Sequence, residues 1–375
     1  MKPPKLIEAL DVLAQADVLD ALQERLADLP KLPKNPLQAW IFVAEGSSYN
    51  AVQWQITNLI QAHPHQRAIL FYPWELEASL GEWQAVANEE VGLYPYVIAV
   101  SQSGKTASLL RSIQKAKTAW GKLEGLLITN ASPETLDVPA WQGLTPFYLN
   151  AGKEEAIAAT KTFTATSFTL KALACQTPTQ LAELTTELET LVPEIRRVLT
   201  SLSEHPAWEK AVDLLKSDRE TAIAVIGAET VMSVLNEVHL KWTETLSRPV
   251  LTYHHEGFKH GPRSILHRKQ TSWALLVYVP PFDNAPEFYA DARFHLQHVD
   301  ALHAERLKQL WIRNASTPPL PQDLRDLGNT VDLAIETTLP DDVLLLLVIQ
   351  SLAVAVVDAL GLEADGLTKF VAEPL

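Results

Sequence analysis

The sequence predicts an α/β protein built from two tandem three-layer domains, each a mainly parallel sheet covered by helices, and three observations predict it. The chain has 375 residues, too many for one typical core and suited to two. Short apolar runs of strand type alternate with longer segments whose apolar spacing suits helices. The alternation occurs twice, and its second series opens like its first. Strand followed by helix followed by strand implies parallel pairing, with crossover helices covering both sheet faces.

Taken in order, residues 4–28 read as an amphipathic helix, which the Pro-containing stretch KLPKNP at 31–36 ends. Strand-type runs follow at AWIFVA (39–44), RAILFY (67–72), YVIAVS (96–101) and GLLIT (125–129). Helical segments such as YNAVQWQITNLIQ and TASLLRSIQKAKTAW lie between them. The stretch around 155–203, broken near Pro178 and Pro193, reads as a helical connector. A second series begins with TAIAVIG (221–227) and continues through SWALLVYV (272–279), QLWIRN (309–314) and VDLAIE (331–336). The expected organisation is an N-terminal helix and linker (1–36), a first domain (37–177), a connector (178–204), a second domain (205–340) and a closing helix and tail (341–375). IFVAEGSSYNAVQWQI and IAVIGAETVMSVLNEV each set an apolar strand before a Gly, a polar turn and an amphipathic helix, a weak internal repeat.

Composition narrows the function classes. Hydrophobic residues at 47% and charged residues at 20% fit an ordinary globular protein. A net charge of -14 repels polyanions at a distance, so nucleic acid is not an expected partner and any phosphate must be gripped locally. The single cysteine, Cys175, cannot form an internal disulfide or a cysteine-based zinc site. The N-terminus MKPPKLIEAL lacks a signal-peptide pattern, so the cytoplasm is the expected compartment. VLLLLVIQSLAVAVVDALGL (343–362) is long enough to cross a bilayer, but it contains Gln350, Ser351 and Asp358 and no close basic flank. A helix buried between protein layers is expected there, and no membrane contact.

Ligands of open α/β sheets bind beyond the carboxyl ends of strands, where turns lead into helix N-termini. Two turns of the first domain fit. Glu45-Gly46-Ser47-Ser48 follows the first strand, and Ser101-Gln102-Ser103-Gly104-Lys105-Thr106 follows the third. The second brings three hydroxyls, a Gly and a helix start within six residues, although a capped helix with polar turn residues has the same spacing. It is not a nucleotide loop, since G-x-x-x-x-G-K-S/T needs Gly where Ala99 stands.

In the second domain Glu237, Lys241 and Glu244 stand at i, i+4 and i+7, on one helix face. Val231, Val234, Val238, Trp242 and Leu246 form the opposing apolar stripe. By spacing alone that charged face also suits a solvated surface with an i,i+4 ion pair. Sixteen positions beyond Glu244 the segment YHHEGFKHGP brings His260, with Gly261 and Pro262 shaping the turn. His254, His255, Glu256 and His260 lack the H-E-x-x-H helical spacing, so no metal is expected. No Gly-x-Ser-x-Gly elbow or catalytic-Cys signature is present.

These pieces resemble the SIS (sugar isomerase) domain family. SQSGKTASLL resembles the SQSGET phosphate loop of SIS domains, and AEGSSYNA their first substrate loop, GTSY. AGKEEAIAATKTFTATSF is similar to AGxExxVASTKAFTxQ in glucosamine-6-phosphate synthase. The stretch from Glu237 through LKWTE to GFKHGP resembles the catalytic helix and His loop of that enzyme's isomerase half, and GLEADGLTKFV its closing segment. The resemblance runs in the family's order from about residue 37 to the C-terminus and implies two SIS-type αβα domains.

By the resemblance, Ser47, Ser48, Ser101, Gln102, Ser103 and Thr106 hold a sugar phosphate, and Ile157 and Ala159 line the pocket. Glu244 is then the base moving a proton between C1 and C2, His260 the ring-opening residue and Lys369 the C-terminal lysine at the sugar. Glu237 and Lys241 are supporting charges. Such chemistry needs no cofactor, and the family's His loop implies a homodimer in which His260 serves the neighbouring subunit. Three departures stand out. No glutaminase half accompanies these motifs, Lys105 replaces an acidic residue, and the approach to Lys369 is short. GFKHGPRSIL also resembles the GFRHGPKS loop of the galactosamine/glucosamine-6-phosphate deaminase/isomerase branch. Isomerisation or deamination of a hexosamine 6-phosphate is therefore expected. A neutral-sugar isomerase and a non-catalytic phosphosugar-binding regulator are the alternatives.

Overall fold

The computed structural model describes residues 12–35, 38–86, 95–154, 158–216, 221–228, 231–246, 248–267, 273–280, 284–296 and 307–361. Two compact units emerge. The first comprises Ala14–Glu154 and Ala159–Val192, the second Met1–Leu13, Glu155–Ala158 and Pro193–Leu375.

The first unit opens with α1 (Gln15–Gln23) and continues through β1 (Trp40–Ala44), α2 (Ser47–Ala62), β2 (Ala68–Phe71), α3 (Pro73–Val86), β3 (Tyr96–Val100), α4 (Ala107–Trp120), β4 (Glu124–Thr129), β5 (Leu144–Tyr148) and α5 (Lys161–Leu173). The strands form one parallel sheet in the order β2-β1-β3-β4-β5. Every residue of β1 is buried because helices cover both faces. Alternate residues point opposite ways along a strand. Ile41, Val43, Val97 and Ala99 thus pack on the side of Leu109, Ile113 and Trp120 of α4.

Helix α5 is buried along nearly its whole length despite four threonines and a serine. Thr164, Thr166, Ser167 and Thr169 each donate their hydroxyl to the carbonyl four residues back, so the polar side chains are satisfied inside the helix. Helix α6 (Pro178–Ser201) follows.

The second unit runs through α7 (Trp208–Lys216), β6 (Ala222–Gly227), α8 (Met232–Leu246), β7 (Val250–His254), α9 (His255–Lys259), β8 (Trp273–Tyr278), α10 (Ala285–Leu296), β9 (Lys308–Asn314), α11 (Gln322–Arg325), β10 (Asn329–Ile335) and α12 (Asp341–Ala359). Its sheet order, β10-β9-β8-β6-β7, is the same 2-1-3-4-5 arrangement when its own strands are counted from β6. The two repeated sequence segments occupy equivalent places, β1–α2 and β6–α8. The chain therefore has two parallel five-stranded α/β sheets in tandem.

Three expectations need correction. Of the predicted helix at 4–28, the described part is a 3-10 turn at Val12–Ala14, α1 and a 3-10 turn at Leu26–Asp28. Residues 4–11 lie outside the described residues. Pro193 does not break α6, because Glu189, whose carbonyl loses its donor, is on an exposed face where water can replace it. Two strands, β5 and β7, were not foreseen.

The apolar segment behaves as expected. Helix α12 is long and apolar enough to cross a membrane, with a mean hydropathy of 2.1, but 72% of its most apolar 18-residue stretch is buried within the protein. It packs against α8 and α7, and Trp242 Nε1 donates to Ile349 O at 3.0 Å.

Candidate functional site

The first unit's topology points to one crevice. In the order β2-β1-β3 the chain winds away on opposite sides of β1 and β3, and the loops beyond these strands part to leave a ligand site. Ala44 and Val100 are register partners, so the turn at Glu45-Gly46 and the loop 101–106 leave the sheet side by side.

Gly46 sits at φ 58°, ψ -134°, a conformation that side chains exclude, and it starts α2 at Ser47. Ser47 and Ser48 thereby occupy the first turn of α2, where backbone N–H groups lack intrahelical acceptors. In the facing loop Ser101 is buried, and its Oγ accepts from Gly104 N at 3.2 Å. Ser103 Oγ accepts from Lys105 N at 3.2 Å. Each hydroxyl accepts within the loop and so keeps its own proton to donate. Gly104 has φ 66°, and a Cβ there would come within 2.8 Å of Ala131 Cβ. Thr129 Oγ1 donates to Ser101 O, and Trp141 Nε1 to Gly104 O at 3.0 Å, fixing the loop from below.

Two details favour an external ligand over a self-satisfied cap. Thr106 is the N-cap of α4 but makes no side-chain cap hydrogen bond. Among the described residues, buried Gln102 Nε2 has no hydrogen-bond partner. A buried amide donor without an acceptor costs about 1–3 kcal/mol, which an anion oxygen would recover.

Ala159 is buried. Ile157 and Lys369 lie outside the described residues. Sequence reasoning missed Asn130 and Glu154. Asn130 accepts from Ala151 N at 2.8 Å and donates to Gly152 O at 2.7 Å. Glu154 Oε1 accepts from Thr160 Oγ1 at 3.0 Å and Lys161 N at 3.1 Å, while Oε2 accepts from Thr162 Oγ1. The carboxylate thus caps α5 from six residues upstream, a spacing outside the usual capping pattern.

In the second unit the charged face of α8 is not a solvated surface. Glu237 is 0% exposed and Lys241 2%, while Glu244 keeps 26%. Lys241 Nζ lies 2.8 Å from Glu244 Oε2 and 3.4 Å from Glu237 Oε1. The apolar stripe Val231, Val234, Val238, Trp242 and Leu246 is buried as expected. Helix α8 is enclosed on both sides because α12 packs on it. Burying an ion pair so deeply brings little net stability, so such arrays more often mark function.

His260 ends α9, exposed, with its N–H on Gly257 O at 3.2 Å, and Gly261 follows at φ 124°. Lys259 Nζ bridges Glu256 Oε1 at 2.7 Å and Asp291 Oδ2 at 2.5 Å, tying α9 to α10. His255, Glu256 and Asp291 bring ligand-type atoms within 4.8 Å of one another, and they are the described residues that could hold a metal. The Lys259 ammonium already lies against both carboxylates. Burial, then His254, lowers the His255 pKa. A cavity of about 680 Å³ in this unit, walled by Leu199, Trp208, Val212 and Val354 among others, includes none of the predicted site residues.

Residues 95–176 match the SIS domain family model. The chain is 28% identical over 219 residues to a glutamine–fructose-6-phosphate aminotransferase (isomerizing) of Mycolicibacterium smegmatis, over 55% of this chain and 32% of the relative. It therefore spans about a third of the length of that relative. Among solved structures, it resembles the C-terminal domain of glucosamine-fructose-6-phosphate aminotransferase from Francisella tularensis, with a TM-score of 0.66 and 19% identity, covering 96% of this chain and 97% of that one. It also resembles a glucosamine-6-phosphate deaminase from Thermotoga maritima, with a TM-score of 0.61 and 16% identity, covering 96% of each chain.

Proposed function

We propose that this chain is a phosphosugar enzyme that isomerises or deaminates a hexosamine 6-phosphate by proton transfer at Glu244. The observation that carries the reading is the α8 array, a buried lysine between one wholly buried carboxylate and one that still reaches solvent. An aldose–ketose step needs a base to take a proton from carbon and a fixed positive charge near the developing enediolate. In this reading Glu244 is the base and Lys241, between Glu237 and Glu244, is the charge. The SIS match and the similarity to an isomerizing aminotransferase support the substrate class.

In this reading Ser47, Ser48, Ser101, Gln102, Ser103 and Thr106 hold the phosphate, and Ile157 and Ala159 border the sugar. His260 assists ring opening and Lys369 stands at the sugar. The proton leaves C2 of the open-chain aldose as the C1 carbonyl becomes an enediol or enolamine. Its return to C1 turns an enediol into the ketose and an enolamine into a C2 imine, which water hydrolyses to the ketose with release of ammonia. The assembly is a homodimer in which His260 serves the neighbouring subunit.

The test is a screen of purified protein against hexose and hexosamine 6-phosphates, following ketose and ammonia together. Turnover of a hexosamine 6-phosphate is expected. Turnover restricted to neutral sugars moves the protein to the neutral isomerases, and binding without turnover makes it a phosphosugar sensor.

A further inference from the structure

The crevice of the first unit carries two charges, Glu45 and Lys105, for which no ion pair is formed among the described residues. Glu45 stands where β1 ends, exposed, and its carboxylate accepts a hydrogen bond from Ser108 Oγ in the first turn of α4. Among the described residues no basic side chain pairs with it. Lys105, exposed in the facing loop, likewise has no acidic partner among them. The rings of Tyr49 and Tyr72 stack with centroids 3.8 Å apart and planes within 7°. The Tyr72 pKa is raised by burial, then by the charges of Glu75 and Glu45. Glu75 is held locally, its Oε2 accepting from Tyr72 N at 2.7 Å.

We propose that Glu45 is a specificity-determining residue that selects a substrate bearing an ammonium group as well as its phosphate. The inference rests on the reading of residues 101–106 as a phosphate cradle and adds which sugars that cradle accepts. An amino sugar phosphate is a zwitterion at neutral pH. The loop donors and Lys105 answer its phosphate, and Glu45 answers its ammonium. A neutral sugar phosphate offers Glu45 no cation and sets its carboxylate against the phosphate charge. Glu45 therefore rejects the neutral substrate as well as attracting the aminated one. The hydrogen bond from Ser108 holds the carboxylate in place, and Glu45→Gln keeps an acceptor for it.

Calorimetry with glucosamine 6-phosphate, glucose 6-phosphate and inorganic phosphate separates the possibilities. Glu45→Gln is expected to weaken glucosamine 6-phosphate about tenfold or more while leaving glucose 6-phosphate and inorganic phosphate unchanged or tighter. Lys105→Ala should instead weaken all three and preserve their ratios. Equal changes for both sugars in Glu45→Gln, or no change for either, would overturn the assignment of Glu45 while leaving the phosphate cradle intact. If the unaltered protein binds none of the three, the cradle itself is wrong and Glu45 falls with it. Glu45→Ala, checked by thermal melting against the unaltered protein, repeats the comparison in a variant that cannot hydrogen-bond Ser108.

Discussion

Lys241 Nζ lies 2.8 Å from Glu244 Oε2 and 3.4 Å from Glu237 Oε1, so one ammonium serves two carboxylates of unequal burial. Glu237 has no access to water and Glu244 keeps 26% exposure, which divides their roles. The inner carboxylate lies 3.4 Å from the lysine, and the outer one, hydrogen-bonded to it, still reaches solvent. The arrangement follows from i, i+4 and i+7 spacing on a helix that α12 covers.

Removing the ammonium should therefore damage the fold as well as the chemistry. Lys241→Met leaves the buried Glu237 carboxylate without that partner, a change that costs about 3–5 kcal/mol in comparable buried pairs. Glu237→Gln combined with Lys241→Met should recover much of the loss. Urea unfolding of the two variants tests this, and a single variant as stable as the parent would refute it.

At the phosphate loop, Ser103→Ala should weaken a 6-phosphate ligand by about 1–3 kcal/mol through a lost charge-assisted hydrogen bond. The hydroxyl is already an acceptor for Lys105 N, so its remaining capacity is as a donor. Calorimetry with phosphorylated and unphosphorylated sugar reads the difference. Equal losses for both sugars would remove Ser103 from the phosphate.

Glu194 supplies an acid-sensitive tie within the second unit. Its carboxylate takes both Arg197 hydrogen bonds at 2.7 Å, and it accepts from Thr337 Oγ1 at 2.7 Å and Thr338 N at 3.0 Å. Arg197 chiefly, then the Thr337 and Thr338 donors against the opposing effect of burial, hold its pKa down at about 2. A folded pKa below the unfolded one adds stability above the unfolded value, and that stability disappears as pH falls through the folded value. Arg197 is half exposed, so screening reduces the contribution to roughly 1–2 kcal/mol. Glu194→Gln should be less stable than the parent at pH 7, and the gap should close between about pH 4.5 and 2. Parallel stability curves across that range would exclude the tie.

What could be read from the sequence divides along physical lines. β1, β3, β4, β6, β8 and β9 lie inside their sheets, so helices cover both faces and their apolar runs stand out. The missed strands, β5 and β7, are edge strands with half-exposed residues, and Pro146 interrupts β5 where an edge tolerates it. Loop 101–106 was legible because its groups are contiguous. Asn130, Glu154 and the Asp291 partner of Lys259 act on groups outside their own local pattern, and residue type alone gives no sign of such pairings. The burial of Glu237 and Lys241 was also hidden, since spacing places charges on one face without saying what covers it.

The assembly proposal has its own test. If His260 serves a neighbouring subunit, mixing inactive Glu244→Gln and His260→Ala chains should regenerate hybrid sites with both groups intact. Recovered turnover after verified subunit exchange is the expected outcome. Exchange without recovery would place the two groups of each site on one chain.

The chemical step is the most exposed part of the proposal. Glu244→Gln keeps the size of the side chain and an acceptor for Lys241 Nζ while removing the base. Binding should stay nearly intact, and loss of a general base commonly costs about 100- to 10,000-fold, read in kcat rather than KM. In deuterated water the parent enzyme should label the sugar at the exchanging carbon, and the Gln variant should lose labelling in proportion to turnover. Undiminished labelling by the variant would remove Glu244 from the role of base. Glu237 would be a poor replacement, because at 0% exposure it must first break with Lys241 before it could meet a carbon-bound proton.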